Sequence, residues 1–358
     1  MATILYRGPI ETARLDFIIE ASSSRYTKLD MIWLVPRPQF RHKRSEGWLS
    51  QHPGLASFRT VASDRRSTPA TISWLKRHVD RSESILAVGF TALPYAKWVA
   101  EGPMVWFVNG IPEERLLHAS SLPTRAMVAG MWRFMRWGRN PDLVVPVSHP
   151  MVDWIDRHIP GMDYLVVPTC IDLGLFRPPG KDKRKYLTYL GSGAPWQGLD
   201  HLASVWKELA RLDRDFWFQV ISRDPRAMST ISDLPPDRVV MTRAAFQDVP
   251  RMLWTASAGF MLREPHIVNK SSYPTKAGEY LAAGVPLILT DIGWDIAELV
   301  NRHKCGRLVE WTSDPIRMAQ NIYPYLQTIG PEAERASLRA SRELDRRRWA
   351  LELQNAMP

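Results

Sequence analysis

Residues 273–291 read YPTKAGEYLAAGVPLILTD. Pro274 stands one residue into a helix-forming run, Gly284 follows the end of that run, and an apolar run rich in branched side chains comes next. A proline near the start of a helix and a glycine just past its end are typical of helix boundaries. The stretch therefore predicts a loop, a helix, a turn and a strand, which is half of a βαβ unit.

The first turn of this predicted helix carries Thr275 and Lys276, and Glu279 lies one turn later. Backbone N–H groups at a helix N-terminus attract anions, and Lys276 adds a positive charge. The carboxylate of Glu279 can accept hydrogen bonds from a sugar diol. With Pro274, these residues predict a site for a nucleotide diphosphate, although an ordinary surface helix of a doubly wound domain fits the stretch equally well.

Short apolar runs recur along the whole chain and alternate with helical stretches. Their spacing is too long for hairpins, and this alternation predicts parallel, doubly wound sheets. The predicted strands are residues 4–6, 31–35, 85–88, 104–108, 143–147 and 164–167 in the first half, and 186–190, 216–221, 239–241, 258–262, 285–289 and 306–309 in the second. We predict an α/β fold of two Rossmann-like domains that face each other across a cleft.

Domain boundaries follow from length and composition. The 358 residues exceed what one hydrophobic core usually serves. Residues 168–183 are rich in proline, glycine and charge, which predicts a linker between an N-terminal domain, 1–167, and a C-terminal domain, 184–330. Residues 331–358 have a helical pattern, and we expect this tail to pack back on the N-terminal domain.

The net charge of +10 favours anionic partners such as phosphates, acidic lipids or nucleic acid. No nucleic-acid recognition motif accompanies the charge, so we predict no nucleic-acid partner. The two cysteines and nine histidines lack metal-ligand spacing, which predicts no metal and no cofactor. Without a signal peptide or a run of about 18 apolar residues, the sequence predicts a cytoplasmic protein that at most lies on a membrane surface.

One basic stretch is a candidate for that surface contact. Residues 115–141 contain no aspartate or glutamate, and large apolar residues stand beside arginine at helical spacing. The predicted membrane-binding residues are Arg125, Trp132, Arg133, Arg136 and Trp137. An interfacial helix places tryptophan at headgroup depth and arginine on anionic lipid. The alternative is a core-facing helix whose arginines are solvated.

Ligands of doubly wound sheets bind at the carboxyl ends of the strands, so the strand-to-helix turns are candidate site positions. In the turn of residues 189–199, glycine allows close approach of a pyrophosphate, and neutral side chains can donate hydrogen bonds. The candidates there are Gly191, Ser192, Gly193 and Gln197, and other turns add Arg223, Arg243, Arg263, Glu264 and Asn109. A buried pair of Arg263 with Glu264 and a plain Asn-Gly turn at Asn109 are the alternatives.

The order of these turns resembles that of the family 4 retaining glycosyltransferases of the GT-B fold, best from about residue 142 to 308. The motifs that carry the resemblance are VVPVS at 144–148, VVPTCIDLGLFRP at 166–178, YLGSGAPWQGL at 189–199 and PTKAGEYLAAGVP at 274–286. The resemblance implies transfer of a sugar from a nucleotide diphosphate sugar, with Glu279 holding the ribose hydroxyls. The N-terminal domain would then serve the acceptor, and the basic stretch suggests a lipid-linked or glycan acceptor at the membrane.

The chain departs from the family pattern at four positions. Ser192 and Gln197 stand where an arginine and a lysine are usual, Ser271 replaces a glutamate, and Asn109 replaces a histidine. A departing diphosphate needs positive charge. Lys276, Arg263 or Arg223 could supply that charge, while Asn109 and Glu264 would orient the sugar. If none does, the protein is a binding or scaffold protein with lapsed catalysis.

Overall fold

The computed structural model describes residues 1–7, 13–35, 52–62, 68–176, 186–231, 234 and 236–358. Its contacts divide the chain into two compact units. The first consists of Met1–Pro168 together with Arg347–Pro358, and the second of Thr169–Arg346. Each unit contains one parallel six-stranded sheet with flanking helices, which confirms the predicted α/β fold of two Rossmann-like domains.

The sheet of the first unit has the order β3-β2-β1-β4-β5-β6. Its strands are β1 Ala2–Tyr6, β2 Leu29–Val35, β3 Ser57–Ala62, β4 Ser84–Val88, β5 Met104–Val108 and β6 Leu143–Pro146. Its helices are α1 Ala13–Arg25, α2 Thr68–His78, α3 Leu93–Val99, α4 Glu114–His118, α5 Leu122–Met135 and α6 His149–His158. Every residue of β1, β4 and β5 is buried, as expected for parallel strands covered on both faces.

The second unit repeats this arrangement with the order β9-β8-β7-β10-β11-β12. Its strands are β7 Tyr186–Leu190, β8 Trp217–Ile221, β9 Val239–Thr242, β10 Ala256–Met261, β11 Leu287–Thr290 and β12 Gly306–Val309. Its helices are α7 Leu199–Leu212, α8 Pro225–Thr230, α9 Val249–Leu253, α10 Ile267–Ser271, α11 Thr275–Ala282, α12 Asp295–His303, α13 Pro315–Leu326 and α14 Pro331–Ser341. The strand order reverses between β1 and β4 and between β7 and β10, and such switch points leave a crevice for ligands.

The predicted strands differ from the observed ones at two places, one predicted strand that does not form and one strand that was not predicted. Residues 164–167 form no regular strand, because only Tyr164 makes an isolated bridge to Val144. The N–H groups of Leu165 and Val167 still donate to the carbonyls of Val144 and Pro146, but Pro146 has no N–H group to donate in return, so no second bridge forms. Conversely, β3 was not predicted, because its sequence SFRTVA at the sheet edge lacks a continuous apolar run.

The linker and the tail are also divided differently from the predicted boundaries. Of the predicted linker, Ile171 bridges to Asp345 and Phe176 is buried against Phe246, so this part belongs to the second unit. The rest, from residue 177, lies outside the described residues. In the tail, α14 belongs to the second unit, whereas most of α15, Arg346–Ala356, belongs to the first.

The end of the tail is held by α1. Ser22 donates a hydrogen bond to the sulfur of Met357 at 3.9 Å, and Arg25 donates to its carbonyl at 3.3 Å. Tyr26 donates to the carbonyl of Pro358 at 3.0 Å.

Among the helices that the structure describes, none combines the length and the apolar character needed to cross a bilayer.

The core of the second unit centres on Trp206 of α7, which is completely buried. Its ring stacks on Phe218 at 4.8 Å and meets Phe260 edge-on at 5.9 Å. The indole nitrogen finds no acceptor among the described residues. The contribution of Trp206 is therefore one of packing rather than of hydrogen bonding.

We expect Trp206→Ala to lower the free energy of unfolding by about 3–5 kcal/mol, because truncating a buried aromatic residue leaves a cavity. Trp206→Phe should lower the free energy of unfolding much less, since no hydrogen bond is broken. For Leu212→Ala, at the exposed end of the same helix, the free energy of unfolding should stay within about 0.5 kcal/mol of that of the unaltered protein. Urea denaturation followed by circular dichroism measures all three, and equal losses for the two Trp206 variants would contradict the packing argument.

Candidate active site

The candidate site of the second unit lies at its switch point, where the turn after β7 meets the turn after β10. Gly198 closes the first turn with a φ of +71°, and a Cβ atom there would lie 2.2 Å from the carbonyl oxygen of Leu262. Only glycine allows this left-handed, close approach without strain. The two turns are joined by a hydrogen bond of 2.9 Å from Arg263 Nη2 to Gln197 Oε1.

Arg263 is a buried cation with neutral partners. Its side chain donates to Gln197 and, at 3.4 Å, to Ser272 Oγ, and its guanidinium carbon lies 5.6 Å from the ring centroid of Trp294. Burial lowers the pKa of Arg263 to about 10, so the group stays protonated at neutral pH. No carboxylate among the residues described here forms an ion pair with it. Since a buried charge without a counter-ion is costly, the site is suited to an anion.

This arrangement corrects the alternative of a buried Arg263–Glu264 pair. Arg263 is 6% exposed, whereas the side chain of Glu264 is exposed to solvent. The backbone carbonyl of Glu264 instead accepts a 3.0 Å hydrogen bond from Asn269 Nδ2. Asn269 is buried, and its Oδ1 atom has no partner among the described residues. No sequence pattern points to this atom.

Glu279 is the most deeply buried carboxylate of the candidate site, with 1% of its side chain exposed. Its Oε1 atom accepts a hydrogen bond from Lys276 Nζ at 3.3 Å. Its Oε2 atom has no partner among the described residues. Burial raises the pKa of Glu279, and the charge of Lys276 opposes that shift. One oxygen of this carboxylate is therefore available to a ligand.

The helix that carries Glu279 is α11, and Lys276 occupies its first turn as predicted. Pro274 is the buried N-cap and provides no side-chain hydrogen bond. The N–H groups of Thr275 and Lys276 have no carbonyl one turn earlier within the helix. Two backbone donors and one ammonium group thus lie within one turn of the Glu279 carboxylate.

The glycine turn after β7 is already occupied by a side chain of the protein. The N–H of Gly193 donates to Asp224 Oδ2 at 3.0 Å, and the N–H of Ala194 donates to Ser192 Oγ at 3.4 Å. Asp224 Oδ1 also caps α8 by accepting from the N–H of Arg226 at 3.0 Å. These hydrogen bonds, with that from Arg226 the strongest influence, hold the pKa of Asp224 below its usual value.

Asp224 was not among the predicted residues. The only sequence pattern that could have pointed to it is an aspartate directly before Pro225, which is typical of a helix N-cap. In the glycine turn after β7, Gly191 is close-packed, since a Cβ atom there would lie 2.7 Å from the hydroxyl of Tyr189. That hydroxyl donates to the carbonyl of Ser192 at 2.6 Å.

The remaining predicted cations of the second unit are on the surface. Arg223 and Arg243 are both exposed, and Arg243 lies 3.4 Å from the sulfur of Met228. The structure thus does not bring them to the cluster of Arg263 and Gln197. In the first unit, Asn109 follows β5 and is exposed, and its Oδ1 atom accepts from Arg14 Nε at 3.3 Å.

The predicted membrane-binding residues all lie on or just after α5, but one of them is wrongly assigned. Trp132 is 4% exposed, donates to Glu113 Oε1 at 2.8 Å and stacks on His158 at 4.1 Å. A tryptophan in the core cannot reach lipid headgroups. The other four, Arg125, Arg133, Arg136 and Trp137, are exposed. The Nε atom of Arg136 donates to the carbonyl of His158 at 2.6 Å.

Comparison with known proteins places this site in a family context. Residues 184–328 match the sequence model of the family described as glycosyl transferases group 1. The match contains both turns of the switch point as well as α11. Among curated proteins, no sequence matches the chain.

Solved structures of similar fold cover almost the whole chain. The HepE protein of Anabaena in complex with UDP has a TM-score of 0.75 and 14% identity, over 99% of each chain. Its complex with UDP-glucose has a TM-score of 0.71 and 14% identity, over 99% of this chain and 98% of that one. Sucrose-phosphate synthase of Thermosynechococcus elongatus has a TM-score of 0.72 and 13% identity, over 99% of this chain and 97% of that one.

At such identities the likeness establishes the fold alone. The family match adds a sequence pattern for the second unit. The chain therefore has the GT-B fold, and residues 184–328 carry the sequence pattern of the group 1 glycosyl transferases.

Proposed function

We propose that this protein is a retaining glycosyltransferase that moves a sugar from a nucleotide diphosphate sugar to a lipid-linked or polysaccharide acceptor, without a metal or other cofactor. The observation that carries the proposal is the buried Glu279 beside the first turn of α11, whose Oε2 atom has no partner in the part of the chain that the structure describes. The family match over residues 184–328 and the UDP-bound HepE complexes support the same donor class.

Glu279 is suited to hold the ribose. A buried acceptor without a partner costs about 1–3 kcal/mol, and a bound hydroxyl removes that cost. Lys276 keeps one carboxylate oxygen in place at 3.3 Å and leaves the other for a diol. The resulting hydrogen bonds would be charge-assisted, which makes them stronger than those between neutral groups.

Arg263 and Lys276 are suited to the diphosphate. Arg263 donates to Gln197, which occupies the position where the family pattern has a lysine. The buried guanidinium thus places positive charge beside the position from which it is missing in the sequence. Two fixed cations can stabilise a departing diphosphate in the way that a divalent metal does in other enzymes. This is the basis for proposing transfer without a metal.

Retention of configuration rests on the family resemblance, in which stabilisation of the leaving group replaces a protein nucleophile. Asn109 and Glu264 remain predicted to orient the sugar. The exposed arginines of α5 and Trp137 support an acceptor at an anionic membrane surface. We accordingly propose a peripheral protein on the cytoplasmic face of the membrane that acts in polysaccharide biosynthesis.

A second function, donor binding without transfer, is favoured by one observation. The carboxylate of Asp224 accepts the Gly193 N–H at 3.0 Å, so an anion of the protein itself occupies the glycine turn. With serine and glutamine in place of the two loop cations, this turn offers a diphosphate less attraction. A scaffold that binds sugar nucleotides would show donor affinity and no turnover in the assays below.

Glu279→Ala should weaken UDP binding about tenfold or more, because loss of a charge-assisted acceptor costs roughly 1.5–3 kcal/mol. Glu279→Gln keeps an acceptor oxygen, so its affinity for UDP should lie between those of the unaltered protein and Glu279→Ala. Glu298→Ala, an exposed glutamate on α12, serves as the matched control. Isothermal titration calorimetry measures the affinity of the three variants and of the unaltered protein for UDP. Unchanged affinity in folded Glu279→Ala would refute the assignment of Glu279 to the ribose.

Nucleoside binding should weaken at acid pH. Burial raises the pKa of Glu279 above its ordinary value of 4.5 in the free protein, whereas bound hydroxyls stabilise the ionised form and lower the pKa. Binding therefore releases a proton, and affinity falls as the pH drops through the raised pKa. Calorimetry with uridine, whose ribose is present without titrating phosphates, checks this, and a pH dependence that persists unchanged in Glu279→Gln would contradict it.

Lys276→Ala should lower turnover more than donor affinity, because charge on the diphosphate grows as the sugar bond breaks. We expect roughly a 10²-fold loss in the rate of UDP-glucose hydrolysis, measured in the presence of EDTA. Arg317→Ala, an exposed arginine on α13, controls for the loss of one positive charge. Equal losses of affinity and rate would mean that Lys276 only binds the donor, and activity that disappears in EDTA would refute the metal-free mechanism.

A further inference from the structure

A cavity of about 430 Å³ lies within the first unit, at the switch point of its sheet. Arg7 follows β1, and Phe90 and Thr91 follow β4; all three line the cavity. The hydroxyl of Thr91 donates to the carbonyl of Arg7 at 3.3 Å and joins the two strand ends. The volume is in the range of about 300–1,000 Å³ that small-molecule sites occupy, and a switch point is a usual place for them.

The walls of this cavity are mainly apolar. From α5 come Met127, Met131, Met135 and Phe134, and from α3 comes Trp98, among others. Methionine side chains are unbranched and adapt to flexible apolar ligands. Trp98 is 51% exposed and Phe134 is 42% exposed, so two large apolar side chains of the cavity face solvent. Such a patch is typical of a binding surface for an apolar partner.

The charged side chains that are described at this cavity are both basic. Of the charged residues that the structure describes, Arg7 and Arg115 line it, and within those described ranges no aspartate or glutamate does. The guanidinium of Arg7 lies 6.0 Å from the ring centroid of Tyr95, which is another wall residue. Arg115 is exposed and begins the acid-free stretch of residues 115–141. The charge complement of this cavity is an anionic group on an otherwise apolar molecule.

We propose that this cavity binds the hydrocarbon chain of a phosphate-bearing lipid, and that Arg115 and Arg7 hold its phosphate. A glycan chain would need many hydrogen-bonding groups, whereas the wall offers methionine and aromatic side chains. The identification of the bound lipid as the sugar acceptor rests on the proposed function. If the protein is that glycosyltransferase, its acceptor is the lipid-linked one rather than the polysaccharide.

The test uses dodecyl phosphate below its critical micelle concentration as the probe, titrated by calorimetry into the protein of residues 1–358. Inorganic phosphate supplies the head alone, and dodecyl maltoside supplies the chain with a neutral head. We expect dodecyl phosphate to bind at least about tenfold more tightly than inorganic phosphate or dodecyl maltoside. The reason is that its affinity combines burial of the hydrocarbon chain with the contacts between phosphate and arginine. Inorganic phosphate binding as tightly as dodecyl phosphate would overturn the proposal.

Two variants locate the binding. Met131→Asp places a carboxylate in the apolar wall and should weaken dodecyl phosphate binding about tenfold or more. Leu122→Asp, on the same helix but 81% exposed and outside the cavity, should not. If Met131→Asp fails to fold by circular dichroism, Phe134→Ser takes its place, since its partly exposed ring is easier to remove. Unchanged affinity in the folded cavity variant would overturn the proposal.

Arg115→Ala should weaken dodecyl phosphate binding about tenfold and leave dodecyl maltoside binding unchanged, because only the charged head contacts arginine. Lys76→Ala, an exposed cation on α2 outside the cavity, is its matched control. UDP affinity is measured on the same samples. Bound UDP without bound dodecyl phosphate refutes this inference alone, whereas bound dodecyl phosphate without bound UDP refutes the proposed function alone.

Discussion

The buried guanidinium of Arg263 organises the candidate site. It joins the turn after β10 to Gln197 in the turn after β7, and it lies over the ring of Trp294 at the start of α12. Its backbone is fixed as well, because Thr290 Oγ1 accepts from the Arg263 N–H at 3.0 Å and donates to its carbonyl at 2.7 Å. A cation held by so many neutral contacts need not reorganise when an anion arrives, which is the condition for strong electrostatic stabilisation.

Both units have one topology but carry different side chains at the switch point. The strand order is the same in the two sheets, and in each unit the side chains of interest follow the strands on either side of the reversal. In the second unit that place contains Arg263, Gln197 and the glycine turn. In the first unit it contains an apolar cavity with arginine beside it. The fold supplies the position, and the residues of the turns decide what can bind there.

Most of the fold could be predicted from the sequence, because strands buried on both faces read as continuous apolar runs. The helix α11 could also be predicted from Pro274 and Gly284. Neither pattern exists for β3, an edge strand with polar residues. The burial of Trp132 was missed because large apolar residues on several sides of a helix do not reveal which side faces the core.

The site was less predictable, since its contacts join distant residues. Lys276 and Glu279 lie three residues apart on a helix, and such neighbours follow from helix geometry. Arg263 and Glu264 are adjacent just after β10, yet Arg263 is buried and Glu264 is exposed, so their proximity in sequence was misleading. The contact between Gly193 and Asp224 depends on how two turns pack and has no local pattern.

The membership of the tail has a consequence for biosynthesis. The second unit is one continuous segment, Thr169–Arg346, whereas the first unit includes Arg347–Pro358, in which Leu353 and Met357 are buried. Since a chain is made from its N-terminus, the first unit cannot bury Leu353 and Met357 before the whole second unit has been synthesised. The apolar surface of the first unit under α15 therefore stays uncovered until translation has passed through all of its neighbour.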